Sequence, residues 1–261
     1  MQPSAGQKTA MAENNLPAHN EKGFSRLVWI ALEPLLRGED CPVCAYGSQS
    51  AERYLKAVLY EGVTDSFQRA RLRRSLGLCA LHAWKALEFR EGLYADHVSM
   101  AVIYQDIAGA VLTAIKAIQR LRSKPAAARI VLKSRLKKKL HELETASRSP
   151  FVDCPACEHQ RHAEERALSC LVACVTDESV AKTYCDGAGL CLGHLALALE
   201  ASGDGPSFEV LLRSEVTKFE KIRDLLHALQ ERFDVRSDAR PTREEALAPA
   251  QILRKVLGRR L

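Results

Sequence analysis

The chain has 261 residues, 47% hydrophobic and 27% charged, which suits a packed globular core and excludes collagen-like and disordered chains. No apolar run approaches the ~18 residues a bilayer span needs, and the first residues lack the apolar stretch of a secretory signal, so a cytoplasmic, non-membrane protein is expected. The net charge of +6 permits a nucleic-acid partner without demanding one, and nine cysteines without an export signal suit metal ligation or redox chemistry better than disulfides.

In chain order, residues 1–22 read as a disordered tail. Residues 23–122 read as a first helical repeat. It begins with an amphipathic helix over residues 24–36, then Cys41-Pro42-Val43-Cys44 and a helix over 48–60. A short helix capped by Asp65 follows, then Gly77-Leu78-Cys79-Ala80-Leu81-His82 and a helix through the histidine. A long helix on the stripe Val98, Val102, Ile107, Val111, Ile115 and Ile118 closes the repeat. Residues 123–136 read as a basic linker. The cluster Arg129, Lys133, Arg135, Lys137, Lys138 and Lys139 reads as a solvated face, since no aromatic residues interleave to stack on bases.

Residues 137–235 read as a second repeat with the same plan. It comprises a helix over 137–147, Cys154-Pro155-Ala156-Cys157, a helix over 159–174, a cap at Asp177 and Gly189-Leu190-Cys191-Leu192-Gly193-His194. A long helix follows on Phe208, Leu211, Leu212, Val216, Phe219, Ile222, Leu225, Leu226, Leu229 and Phe233. Residues 236–261 read as a tail carrying a short amphipathic helix with Leu247, Ile252, Leu253 and Val256 on one side, to dock on the body or on a partner.

The two halves stay in register. CPxC recurs 113 positions on, as does Glu52-Arg53 in Glu165-Arg166. Val63-Thr64-Asp65, GLCxxH and Ala86-Leu87-Glu88 recur 112 positions on, so a single deletion accounts for the shift. With no convincing period-2 alternation, the expected fold is all-α: two tandem pseudo-symmetric helical repeats, each organised round a Cys3His metal site.

A C-x2-C pair closes a tight loop with both sulfurs to one side. A C-x2-H at a helix start sets Cys and His on one face, three residues apart. Three thiolates and an imidazole form a donor set that Zn2+ accepts tetrahedrally. The expected sites are Cys41, Cys44, Cys79 and His82, and Cys154, Cys157, Cys191 and His194, holding two Zn2+. Two iron–sulfur clusters are the alternative, since the same donors can ligate a cluster. A C-x2-C redox centre is a weaker reading, because such motifs usually adjoin a βαβ unit, absent here.

These motifs resemble a bacterial family of unknown function, small cysteine-rich helical proteins with CPxC, a Glu-x-Tyr-like segment and GxCxxH. The resemblance runs from Ser25 to Gln230 and points to the same eight residues, without implying an activity. His97 is a spare ligand candidate, weakened by Glu209 at the corresponding place. Cys170, Cys174 and Cys185 read as part of an apolar face before an extra site, and Glu52-Arg53 and Glu165-Arg166 as charge partners near the metal. No catalytic motif is found, and four donors per site leave no open position for water. The expectation is therefore a non-enzymatic interaction or scaffold module with a protein partner; the alternative is an electron-transfer or redox-sensing protein, perhaps a subunit of a larger enzyme.

Overall fold

The computed structural model describes residues 25–89, 95–122, 137, 154–232 and 240–258. The fold is all-α, with no strand among the described residues. The helices are α1 (Arg26–Leu36), α2 (Pro42–Ala57), α3 (Ser66–Arg74), α4 (Ala80–Glu88), α5 (Ala95–Arg122), α6 (Pro155–Cys174), α7 (Glu178–Asp186), α8 (Leu192–Ser202), α9 (Pro206–Arg232) and α10 (Arg243–Leu257). A π-helical turn, Val58–Gly62, ends α2. The expected 137–147 helix, the basic cluster and the N-terminal tail fall wholly or almost wholly outside the described residues, whereas the helix expected within 236–261 is α10.

The helices begin where local chemistry says they should. Proline loses nothing at a first helical position, because that N–H has no intrahelical acceptor. Pro42 and Pro155 accordingly open α2 and α6 directly after the first cysteine of each CPxC, earlier than the expected starts at 48 and 159. Asp65 and Asp177 cap α3 and α7, accepting from Gln68 N and from Ser179 N and Val180 N.

The antiparallel α2–α6 pair is the most extensive helix contact. Gly47, near the start of α2, faces Glu164 midway along α6, whereas Tyr54 further along α2 stacks on His159 near the start of α6, with ring centroids 4.1 Å apart. Two cores flank this pair. One joins α1 (Trp29, Leu32) to α6–α9 (Leu171, Tyr184, Leu190, Leu211). The other joins the end of α2 (Leu55, Leu59) to Leu72, Ile103 and Ile107 of α3 and α5, and takes in Cys154 and Ala156 from the start of α6. Each core therefore draws on both halves of the chain. Cys170 and Cys174 are buried in the first core.

The apolar stripe of α5 is rotated from the expected one. Met100, Ile103 and Ile107 are buried, whereas Val98 and Ile115 are exposed. Steps of three and four from Met100 keep one face on the π turn and α3, which is where the core lies.

Candidate metal centres

Four helix N-termini build the sites. Cys41, Cys79, Cys154 and Cys191 are the N-cap residues of α2, α4, α6 and α8, and none of their side chains caps the helix backbone. Cys44, His82, Cys157 and His194 stand three residues on, in the first turn of the same helices. Cap and third position share one face, so each motif presents two donors at the positive end of a helix dipole, where thiolates are stabilised.

The structure corrects the pairing expected from sequence. CPxC of the first half does not meet CxxH of the first half. One cluster is Cys41, Cys44, Cys191 and His194; the other is Cys79, His82, Cys154 and Cys157. In each, the four donor atoms lie within 4.8 Å of one another, and either cluster can hold a metal ion. The reason is topological. Antiparallel packing of α2 on α6 puts their N-termini at opposite ends, and each end is met by the CxxH helix of the other half.

In the first cluster His194 Nδ1 lies 3.5, 3.3 and 3.3 Å from the sulfurs of Cys41, Cys44 and Cys191, and the last two sulfurs are 3.7 Å apart. In the second, His82 Nδ1 lies 3.2, 3.7 and 3.3 Å from Cys79, Cys154 and Cys157, with Cys79 and Cys157 sulfurs 3.6 Å apart. A tetrahedral ion with metal–sulfur bonds of about 2.3 Å and metal–nitrogen bonds of about 2.0 Å makes edges of about 3.8 and 3.5 Å. The donors fit one ion per cluster, and none of the nine cysteines is in a disulfide.

Electrostatics point the same way. Hydrogen bonds from Cys41 and Cys44 hold the Cys191 thiol well below its ordinary pKa, while hydrogen bonds with Cys191 and Cys44 push Cys41 up. Cys157 and Cys79 likewise depress Cys154, and Cys157 is raised. Burial opposes charging of His82, but hydrogen bonds to Cys154 and Cys79 outweigh it and lift its pKa to about 9. His194 rises to about 12 against the same burial penalty, through Cys191, Cys41 and Glu164. In each cluster one depressed thiol thus sits among donors that share its proton demand, a coupled set of soft ligands.

Several supporting residues were not found from sequence. Glu164 Oε2 lies 3.7 Å from His194 Nε2 and steadies the ring from behind, while Gln160 holds the other carboxylate oxygen at 2.9 Å. The expected Glu165 does not have this role, and Glu52 pairs with Lys56 and Lys85 instead. Glu215, only 1% exposed, accepts from Leu190 N at 2.8 Å and Tyr184 Oη at 2.5 Å and pairs with the buried Lys255, which donates to Leu190 O at 2.9 Å. Both backbone groups of the residue before Cys191 are thus fixed. Glu215 is in phase with Leu211 and Ile222 on α9, a signal that marks a buried carboxylate within an apolar stripe. The side chain of His97 lies outside what the structure describes.

Helices that bring two Cys3His clusters together from opposite halves define an all-helical protein with two candidate metal sites. The chain belongs to DUF6062, a family of unknown function, whose model matches residues 28–258. Neither a curated protein nor a solved structure matches it. No helix among the described residues is long and apolar enough to cross a membrane.

Proposed function

We propose that the protein binds two Zn2+ at closed, structural Cys3His sites and acts as an interaction or scaffold module. The compactness of the donor sets carries the reading. Four donors within 4.8 Å suit a single tetrahedral ion, whereas a four-iron cluster places its donors on separate irons and spreads them apart. Four protein donors also complete the tetrahedron, leaving no position for a catalytic water. A structural zinc contributes roughly 10–16 kcal/mol of apparent binding free energy at neutral pH. Because each site joins helices from both halves, that energy acts on their association. Elemental analysis and an absorbance spectrum of anaerobically purified protein test the proposal. Two zinc per chain and no visible absorbance are expected; iron with sulfide absorbance overturns it in favour of a cluster protein.

A further inference from the structure

The C-terminal helix α10 is tied to every segment that supplies the first cluster. Arg254 pairs with Glu39 at 2.9 Å and Asp40 at 3.4 Å, immediately before Cys41. Lys255 holds Leu190 O, immediately before Cys191. Gly258, with φ +82°, lies so close over the thiols that a Cβ there would be 3.4 Å from Cys44 Sγ and 3.7 Å from Cys191 Sγ. Beside these contacts a cavity of about 470 Å3 has Cys41, Cys191, Arg254 and Lys255 in its wall.

The attachment of α10 is mainly ionic. Its buried residues are Glu245, Ala248 and Lys255, while Leu247, Leu253, Val256 and Leu257 remain exposed. Arg232 pairs with Glu245 at 2.7 Å, and Lys221 with Glu244 at 3.7 Å. Two of its three buried residues are charged and four of its apolar side chains stay exposed, so its docking depends on the ion pairs. If it lifts, Glu215 keeps its Tyr184 and Leu190 donors and the Lys255 ammonium regains water. An undocked state therefore loses the Lys255 ion pair but keeps the carboxylate hydrogen-bonded.

We infer that α10 is a strap whose docking is coupled to occupancy of the first cluster: a soft divalent cation on Cys41, Cys44, Cys191 and His194 holds it down, and emptying the cluster releases it. The inference rests on the metal reading above. A bound ion fixes the sulfurs under Gly258 and the Leu190 peptide that Lys255 grips. Without it, nothing stronger than hydrogen bonds holds Cys41, Cys44, Cys191 and His194 together, and the docking surface loosens. Coupling is reciprocal, so loosening the strap must weaken the site.

The test is hydrogen exchange by mass spectrometry on the full chain loaded with zinc. Cys44→Ser, which disables the first cluster, is expected to speed exchange in residues 243–257 about 10-fold or more while α6 stays protected. Cys157→Ser, which disables the second, leaves α10 unchanged. Unchanged exchange in α10 after Cys44→Ser, or equal loss in both variants, overturns the inference. Should either thiol variant unfold, Arg254→Gln keeps every donor and must release zinc to a chelator several-fold faster from the first cluster alone. Equal release rates in wild type and Arg254→Gln refute the strap. Native mass spectrometry separates the two claims: two bound metals with an uncoupled α10 refute only the strap, whereas no bound metal refutes the zinc reading.

Discussion

Gly189 offers the sharpest test of how the first cluster is built. Its φ of +72° lies in the left-handed region, and a Cβ added there would sit 2.1 Å from Glu215 Oε1 and 2.9 Å from Lys255 Nζ. Gly189→Ala therefore pays twice. The left-handed backbone costs an L-residue about 1–2 kcal/mol. Displacing the Glu215 carboxylate also breaks a buried ion pair, at about 3–5 kcal/mol. The expected loss is about 4–7 kcal/mol, a large share of the ~5–15 kcal/mol of a typical domain. Urea unfolding of the zinc-loaded protein, followed by helicity, measures it. Two other glycines calibrate the result. At Gly77, φ +99°, the atoms nearest a Cβ are the side-chain ends of Ile107 and Tyr104 at 3.0–3.2 Å, so Gly77→Ala should cost about 1–2 kcal/mol, mostly backbone strain. Gly193, inside α8 with nothing within 4 Å, should become up to about 1 kcal/mol more stable as Ala. A loss below about 1 kcal/mol at Gly189 would refute the claim that the buried carboxylate sets the Cys191 loop.

The crossed pairing has a stoichiometric signature. Cys44→Ser with Cys191→Ser should leave one metal per chain by mass spectrometry, whereas Cys44→Ser with Cys79→Ser should leave none; the reverse pattern would restore within-half pairing. Glu164→Gln should weaken metal binding at the first cluster by roughly 10–100-fold and spare the second, read by chelator competition; equal affinities would deny Glu164 any part in positioning His194. Asp177→Ala should cost about 1 kcal/mol near neutral pH through loss of the α7 cap. Its hydrogen bond with Ser179 holds the Asp177 pKa below the usual 3.8, so this difference should be constant from about pH 5 to 8 and shrink as the carboxylate protonates below that range. Chelation should remove helicity and separate the halves after cleavage between them, a loss that limited proteolysis with size exclusion detects; halves that stay associated without metal would contradict the stapling role.

Local chemistry was enough to read the eight clustered Cys and His residues, the helix starts at the two CxxH motifs and the all-helical class from the sequence. Cysteine spacing, the Asp65 and Asp177 caps and three- and four-residue apolar steps each act within a few residues of one another, whereas the helix starts at Pro42 and Pro155 came earlier than expected. Which CPxC faces which CxxH is a different kind of fact. The motif recurs, so within-half and crossed pairings satisfy the same spacing, and only antiparallel docking of α2 on α6 separates them. The strap contacts of Arg254, Lys255 and Gly258 were likewise invisible, because they join residues far apart in the chain through a buried ion pair and a bare backbone approach that no periodicity encodes. Donor chemistry was written locally; tertiary packing alone decided which donors form one cluster.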